Sequence, residues 1–376
     1  MKILNVSLWP VDKKSIGGTE RYVICLSSAL KKFSIDSEVL MLSGKKISID
    51  DVFYLPLNLS SIKKLDEYSI KRTFFKKFNK KSLQAFARKV ESKFDFSKYD
   101  VVHFNSLLFY FCAFDKRRVF TIHINQGGFD QNWGKNSFNI MTKIINDDKI
   151  SKTKFIMPSK YYASQYRKKF NKEIVDIPHS LPQPFFGKKS RDSKQSDGCL
   201  DIFVPSRLEL KQKGQDLLLD SLIAIRTKLP KFRVIFAGVD DQYKPTIKIL
   251  ENKVRPLGIK LIFKKIRMDQ MKAAYDKADL VVLPSRYESF GYSAVESLAL
   301  GKKTVLSDIP THREIARGNG CAFLAKGMSP AALGKAILKA VNSDCCKKVN
   351  KKWLDRYSED TWAKKNISLY KSCLSQ

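Results

Sequence analysis

No stretch of this 376-residue chain comes near the ~20 consecutive apolar residues that a membrane-crossing helix requires, which excludes a protein built on such helices. Cysteine is scarce. The seven are scattered and odd in number, form no CxxC, and include the adjacent pair Cys345 and Cys346. That pattern suits neither a disulfide framework nor a common zinc site and points to a reducing compartment. No Asp-x-Asp occurs, and no His, Cys and Asp residues fall at metal-ligand spacing. There is no short-period repeat and no low-complexity tract, which excludes a solenoid. The amino terminus, MKILNVSLWP, is far shorter in its apolar run than a signal peptide, so the expected location is the cytoplasm.

Acidic residues are also few. Against 70 Lys plus Arg stand 37 Asp plus Glu, a formal charge of +33 that must attract polyanions. Nucleic acid, an anionic membrane surface and phosphorylated substrates are all compatible with it. The cations run along the whole chain, but KRTFFKKFNKK concentrates Lys71, Arg72, Lys76, Lys77, Lys80 and Lys81 around three phenylalanines. One reading is a solvated helix face. The other is an interfacial segment on an anionic leaflet, where each cation contributes about 1 kcal/mol.

What is present is globular composition, 43% hydrophobic and 28% charged, at a length that fits two domains of about 180 residues. Short apolar runs (KILNVSL, DSEVLML, YDVVHFN, RRVFTIHI, KFIMPS) alternate with helical patterns such as TERYVICLSSALKKF. This alternation signals βαβ units and a parallel sheet. Near Ile177 it gives way to IPHSLPQPFFGKKSRDSKQSDG, rich in Pro, Ser and charge, which reads as a linker. The alternation then restarts with LDIFVPSR, RVIFAG, IKLIFKK, DLVVLPS and KTVLSD. Two doubly wound sheets of this kind bind ligands at the carboxyl ends of their strands, and a cleft between the domains is expected to hold the function.

The stretch RYESFGYSAVESLALG, Arg286 to Gly301, follows the buried strand pattern ADLVVLPS and opens a helix. Ser289 reads as its N-cap, with the helix starting near Phe290 or Gly291. First-turn amides can hold a phosphate, and Gly291 has no side chain to block its approach. Glu288 precedes the helix mouth and Glu296 lies in its second turn. Neither carboxylate suits a naked phosphate, so together they fit a ligand with hydroxyls at both ends and phosphate between, namely a nucleotide sugar.

This stretch resembles the E-x7-E signature of glycosyltransferase family 4, retaining enzymes of GT-B fold that serve bacterial surface polysaccharide synthesis. ESLALGKKTVLSDIPTHREI is similar to that family's continuation. VPSRLELKQKGQDLLLDSL resembles its strand, Arg, Lys-Gly and helix pattern, which places Arg207 and Lys213 on the donor diphosphate, as a bidentate fork and a point charge. KKSIGGTERYVICLSSAL resembles its Gly-Gly loop, so Gly17 and Gly18 would admit phosphate and acceptor. RRVFTIHINQGG resembles the segment with its active-site histidine, here His123, although Ile124 stands where the family often has aspartate. RVIFAG matches its second nucleotide-domain strand, with Gly238 facing the base or its loop. IPHSLPQPFF takes the place of its interdomain strand, and TWAKKNISLYKSCL resembles the terminal helix that crosses back to the first domain.

The resemblance is strongest from Ile202 to Ile315 and weakest from Ile47 to Ser97. It implies an α/β protein of two Rossmann-like domains facing a cleft: residues 1–180 with 358–376 on the acceptor side, a linker over 181–200, and a donor-binding domain over 201–357. It also implies retention at the anomeric carbon without a protein nucleophile. Glu288 would contact the sugar hydroxyls, Glu296 the ribose, and His123 the sugar and acceptor. With no metal signature, positive charge for the leaving diphosphate would come from Arg207, Lys213 and the helix mouth at Phe290 to Tyr292.

The donor is expected to be a nucleotide-diphosphate sugar and the acceptor a glycan or lipid-linked saccharide, the enzyme lying peripherally on the cytoplasmic face of the inner membrane. An epimerase of the same architecture would need no acceptor, and a phosphorylase would need a lysine-bound pyridoxal phosphate. A nucleic-acid-binding protein is disfavoured because no such module is recognisable.

Overall fold

The computed structural model describes residues 1–7, 18–41, 47–49, 52–57, 79–113, 115–122, 139–148, 153–181, 185, 198–343 and 349–375. The chain divides into two units, Met1–Ser180 with Ser358–Gln376, and Leu181–Tyr357.

The first unit is built on β1 (Lys2–Ser7), β2 (Asp36–Met41), β3 (Ile47–Ile49), β4 (Val52–Pro56), β5 (Val101–Phe104), β6 (Arg117–Thr121), β7 (Thr153–Met157) and β8 (Ile174–Asp176). They form one sheet in the order β3-β4-β2-β1-β5-β6-β7-β8, parallel throughout except where β3 runs antiparallel to β4. All four residues of β5 are buried, as are five of six in β1, as expected of strands covered on both faces. Helix α1 (Gly18–Lys32) links β1 to β2. Helix α2 (Lys80–Glu91) starts at a capping box formed by Asn79 and Ser82 and buries Leu83, Phe86, Ala87 and Val90, one stripe at helical spacing. Its other face exposes Lys80, Lys81, Arg88 and Lys89. The other four cations of the basic segment, Lys71, Arg72, Lys76 and Lys77, lie outside the described residues. Helix α3 (Lys160–Phe170) leads into β8.

In the second unit, β9 (Leu200–Pro205) is followed by α4 (Leu210–Lys213), α5 (Gln215–Ile225), β10 (Phe232–Ala237), α6 (Lys244–Val254), β11 (Lys260–Phe263), α7 (Met271–Lys277) and β12 (Leu280–Leu283). Then come α8 (Tyr292–Ala299), β13 (Thr304–Leu306), α9 (Pro310–Ala316), β14 (Ala322–Leu324), α10 (Pro330–Val341) and α11 (Lys351–Arg356). The strands are all parallel, in the order β11-β10-β9-β12-β13-β14. Counted from β9, that is the 3-2-1-4-5-6 order of the dinucleotide-binding folds, with its reversal between β9 and β12.

The chain then returns to the first unit as α12 (Glu359–Leu374), started by Ser358, whose side chain accepts from the Thr361 amide. It buries Trp362, Ala363, Leu369, Tyr370 and Cys373 in a core shared with Tyr22, Val23 and Leu26 of α1. A polar network runs through this core. The Tyr370 hydroxyl lies 2.6 Å from His103 Nδ1, His103 Nε2 lies 2.6 Å from Thr121 Oγ1, and the Tyr22 hydroxyl lies 3.0 Å from the same oxygen. All four side chains are buried, so each bond spares a polar group the cost of lost hydration.

Candidate functional site

The carboxyl ends of β9 and β12 lie side by side at the reversal of strand order, the place where open α/β sheets leave room for a ligand. Residues 206–214 leave the first of these ends and residues 284–291 the second. Gly214 brings the two loops together. It has φ +66°, and a Cβ there would lie 2.1 Å from the Pro284 carbonyl oxygen, so only glycine permits the approach. Buried Gln215 supports the β9 loop from below, donating to the Arg207 carbonyl at 2.6 Å and to Ser206 Oγ at 3.1 Å. Gly238, after β10, has φ +72°, and a Cβ there would lie 3.1 Å from the Ser206 carbonyl oxygen and 3.2 Å from Arg207 N, so its packing partner is the Ser206–Arg207 backbone.

Arg286 fastens the β12 loop to the β9 loop. Its amide donates to the Gln212 carbonyl at 2.7 Å. Its guanidinium grips both Asp216 oxygens, at 2.8 and 2.7 Å, and reaches the Leu210 carbonyl at 2.6 Å. Lys213 and Glu288, 75 residues apart in sequence, thereby meet: Lys213 Nζ lies 2.7 Å from Glu288 Oε1. Ser285 Oγ donates to the same oxygen at 2.8 Å, and Thr311 Oγ1 donates to the Glu288 carbonyl at 2.7 Å.

Burial by itself pushes the Glu288 carboxyl up. The Lys213 charge and hydrogen bond, with His312 and Ser285, outweigh that and hold it below its ordinary value. His312 lies beneath this loop, fully buried, and burial pushes it down to about 4 against the upward pull of Glu288. It is a neutral imidazole at neutral pH and donates Nδ1–H to the Ser307 carbonyl at 3.1 Å.

The remaining expected residues fall as follows. Arg207 is 56% exposed and pairs with Glu209 at 3.4 Å rather than joining the Lys213–Glu288 pair. The expected N-cap at Ser289 is corrected: the cap is Gly291, with φ +86° and no side-chain capping bond, and α8 starts at Tyr292. The chain needs a left-handed residue there, and a Cβ at that position would press on Ile315 of α9 at 3.3 Å. Phe290 is buried edge-on against Tyr292, 4.9 Å between ring centroids. Glu296 is 2% exposed, and its Oε2 accepts from the Tyr275 hydroxyl at 2.8 Å. Gly18 opens α1 in the first unit, while Gly17 and His123 lie outside the described residues.

Sequence reasoning missed Arg286, Asp216, Thr311, His312 and Tyr275. It also missed Tyr287, 9% exposed, whose hydroxyl is pushed well up by burial and by the carboxylates of Glu209 and Glu288. The one signal for them was position, since Arg286 and Tyr287 directly precede Glu288 after a buried strand. Among the described residues, no group of three or more His, Cys, Asp or Glu side chains is placed to hold a metal ion.

Comparison with known proteins bears on the fold and on the second unit. Phosphatidyl-myo-inositol mannosyltransferase of Mycobacterium tuberculosis is 27% identical over 179 residues, 46% of each chain. Sucrose-phosphate synthase of Thermosynechococcus elongatus superposes with a TM-score of 0.78 at 16% identity, covering 100% of this chain and 99% of that one. The Anabaena protein Alr3699/HepE, solved in complex with UDP and glucose, gives 0.71 at 15% identity, over 99% and 100%. The chain matches only part of the length of its first curated relatives, 22%, 46% and 59%. The fold is thus the two-domain α/β fold of the GT-B glycosyltransferases, and residues 187–356, nearly the whole second unit, match the family described as Glycosyl transferases group 1.

Proposed function

We propose that this chain is a retaining hexosyltransferase that moves a sugar from a nucleotide-diphosphate sugar to a glycan or lipid-linked acceptor in surface polysaccharide assembly (O-antigen, capsule or lipopolysaccharide). The observation that carries the reading is the Lys213–Glu288 pair at the switch point, beside a helix whose first turn no side chain caps, inside the segment that matches the group 1 family. Lys213 and Arg207 take the diphosphate and stabilise the charge that develops on it as the glycosidic bond breaks. Ser289 to Tyr292 at the mouth of α8 add backbone N–H groups. Glu288 accepts from sugar hydroxyls and Glu296 from the ribose. Gly17, Gly18, Gly238 and His123 are assigned to the donor and the reacting sugar by family resemblance. Departure precedes attack on the same face, through an oxocarbenium-like state, which retains configuration without a protein nucleophile.

The mannosyltransferase relative is named for a lipid acceptor, and the Anabaena structure holds UDP and glucose; both favour a nucleotide sugar and a lipid-linked saccharide here. Lys71, Arg72, Lys76, Lys77, Lys80 and Lys81 would hold the enzyme on the anionic cytoplasmic face of the inner membrane. No described helix is long and apolar enough to cross a membrane. The test is incubation with labelled nucleotide sugars, with and without a lipid-linked saccharide. Acceptor-dependent transfer with retained anomeric configuration supports the reading. Release of an epimerised free sugar without acceptor would assign the epimerase activity instead, and no turnover of any donor would overturn both.

A further inference from the structure

Each cation assigned to the diphosphate already carries a carboxylate. Lys213 Nζ lies 2.7 Å from Glu288 Oε1, with side chains 15% and 14% exposed, and Arg207 Nη2 lies 3.4 Å from Glu209 Oε2, with side chains 56% and 28% exposed. The four formal charges cancel before any ligand arrives. The two pairs are unequal, because water screens the Arg207 pair far more than the sheltered Lys213 pair. Glu288 is also firmly anchored: Ser285 holds its carboxylate, Thr311 its main chain, and Gly214 and the Arg286 clamp fix the loops that carry it and Lys213. An anion that takes Lys213 must therefore do so beside a carboxylate that cannot swing far away.

A nucleotide sugar meets that carboxylate with hydroxyl donors and with a β-phosphate that is esterified and singly charged. The nucleoside diphosphate left after transfer has lost those donors. Its terminal phosphate also has a second ionisation near pH 6, so it carries about one more negative charge at neutral pH. The same side chain attracts the donor and repels the spent nucleotide.

We infer that Glu288 sets the specificity of the site for the sugar-linked form of the nucleotide and helps to expel the nucleoside diphosphate, the Lys213–Glu288 pair being restored as the product leaves. The inference rests on the donor reading above and adds to it a role in product release. Binding is measured by calorimetry on the full chain with UDP and UDP-glucose, GDP and GDP-mannose, ADP and ADP-glucose, and inorganic pyrophosphate. For the pair that binds, Glu288→Gln is expected to tighten the diphosphate and pyrophosphate about tenfold or more while weakening the sugar-linked form. A Glu209→Gln variant should shift both forms by much less. An unchanged ratio in Glu288→Gln overturns the inference and leaves the donor reading standing. Binding of none of these ligands by the wild type overturns the donor reading itself.

A ligand-side comparison needs no variant. The wild type should bind the β-methyl ester of the matching nucleoside diphosphate, which lacks the extra charge and has no sugar hydroxyls, more tightly than the diphosphate. Equal or weaker binding of the ester would overturn the inference even if Glu288→Gln failed to fold.

Discussion

Arg286 holds Asp216 through both carboxylate oxygens, at 2.8 and 2.7 Å, and so joins the loop that carries Glu288 to the first turn of the helix that follows Lys213. Such a planar two-point clamp fixes orientation as well as distance. Arg286 is a positioning residue, acting on the reaction through the loops it joins. Arg286→Ala is expected to raise the donor KM and lower kcat/KM by about tenfold to a hundredfold, with the far-ultraviolet spectrum unchanged. Arg286→Lys, which keeps the charge and one hydrogen bond, should recover part of the loss. Equal kinetics for wild type and Arg286→Ala would remove this role.

Loss of either charged side chain assigned to the donor should be far more damaging. Arg207→Ala or Glu288→Ala is expected to cut turnover by about a hundredfold or more, since each removes a contact that strengthens as charge separates. Arg207 is the cleaner test, because its 56% exposed side chain supports little of the core. Near-normal turnover in Arg207→Ala would refute its assignment.

The buried imidazole makes a prediction about pH. His312 is pushed down to about 4 from 6.5, so between those values the unfolded chain binds a proton that the folded protein refuses. Its contribution is complete above pH 6.5 and is lost as pH falls toward 4, on the order of 3 kcal/mol in all. Glu288 and Asp216 are both held below their ordinary values, so their contributions fade further into the acid range, with the same sign. Denaturant midpoints from pH 7 to pH 4 should therefore fall, and less steeply in His312→Asn. Parallel profiles for the two proteins would contradict the assignment.

In the first unit, Tyr370→Phe removes the hydroxyl 2.6 Å from His103 Nδ1 and so breaks one hydrogen bond of the buried network. A loss of about 1–3 kcal/mol is expected in urea unfolding of the first unit. A neutral result would mean that His103 finds another partner at no cost.

Much of this was legible in the sequence, and the reasons are local. ADLVVLPS and LDIFVPSR are continuous apolar runs ended by turn residues, and they became β12 and β9. Parallel strands buried on both faces leave that trace. Strands β3, β8 and β14, three residues each, and β4, of five, stand outside the apolar runs that the sequence displays. Side-chain chemistry favours Ser289 as a cap, whereas the chain enters α8 through the backbone freedom of Gly291. The Lys213–Glu288 pair spans 75 positions, so its contact depends on the order in which the strands assemble and is invisible to any window of sequence. The Arg286–Asp216 clamp, 70 positions apart, is hidden for the same reason.

The returning helix α12 also sets a timetable for synthesis. Domains ordinarily fold in the order in which they leave the ribosome. Here the first unit lacks Trp362 and Tyr370, and with them the cover over Tyr22 and His103, until α12 has been translated, after the whole of the second unit. The nascent first unit must carry that uncovered apolar face while residues 181–357 are being made, so the unit that emerges ahead of its neighbour is completed after it.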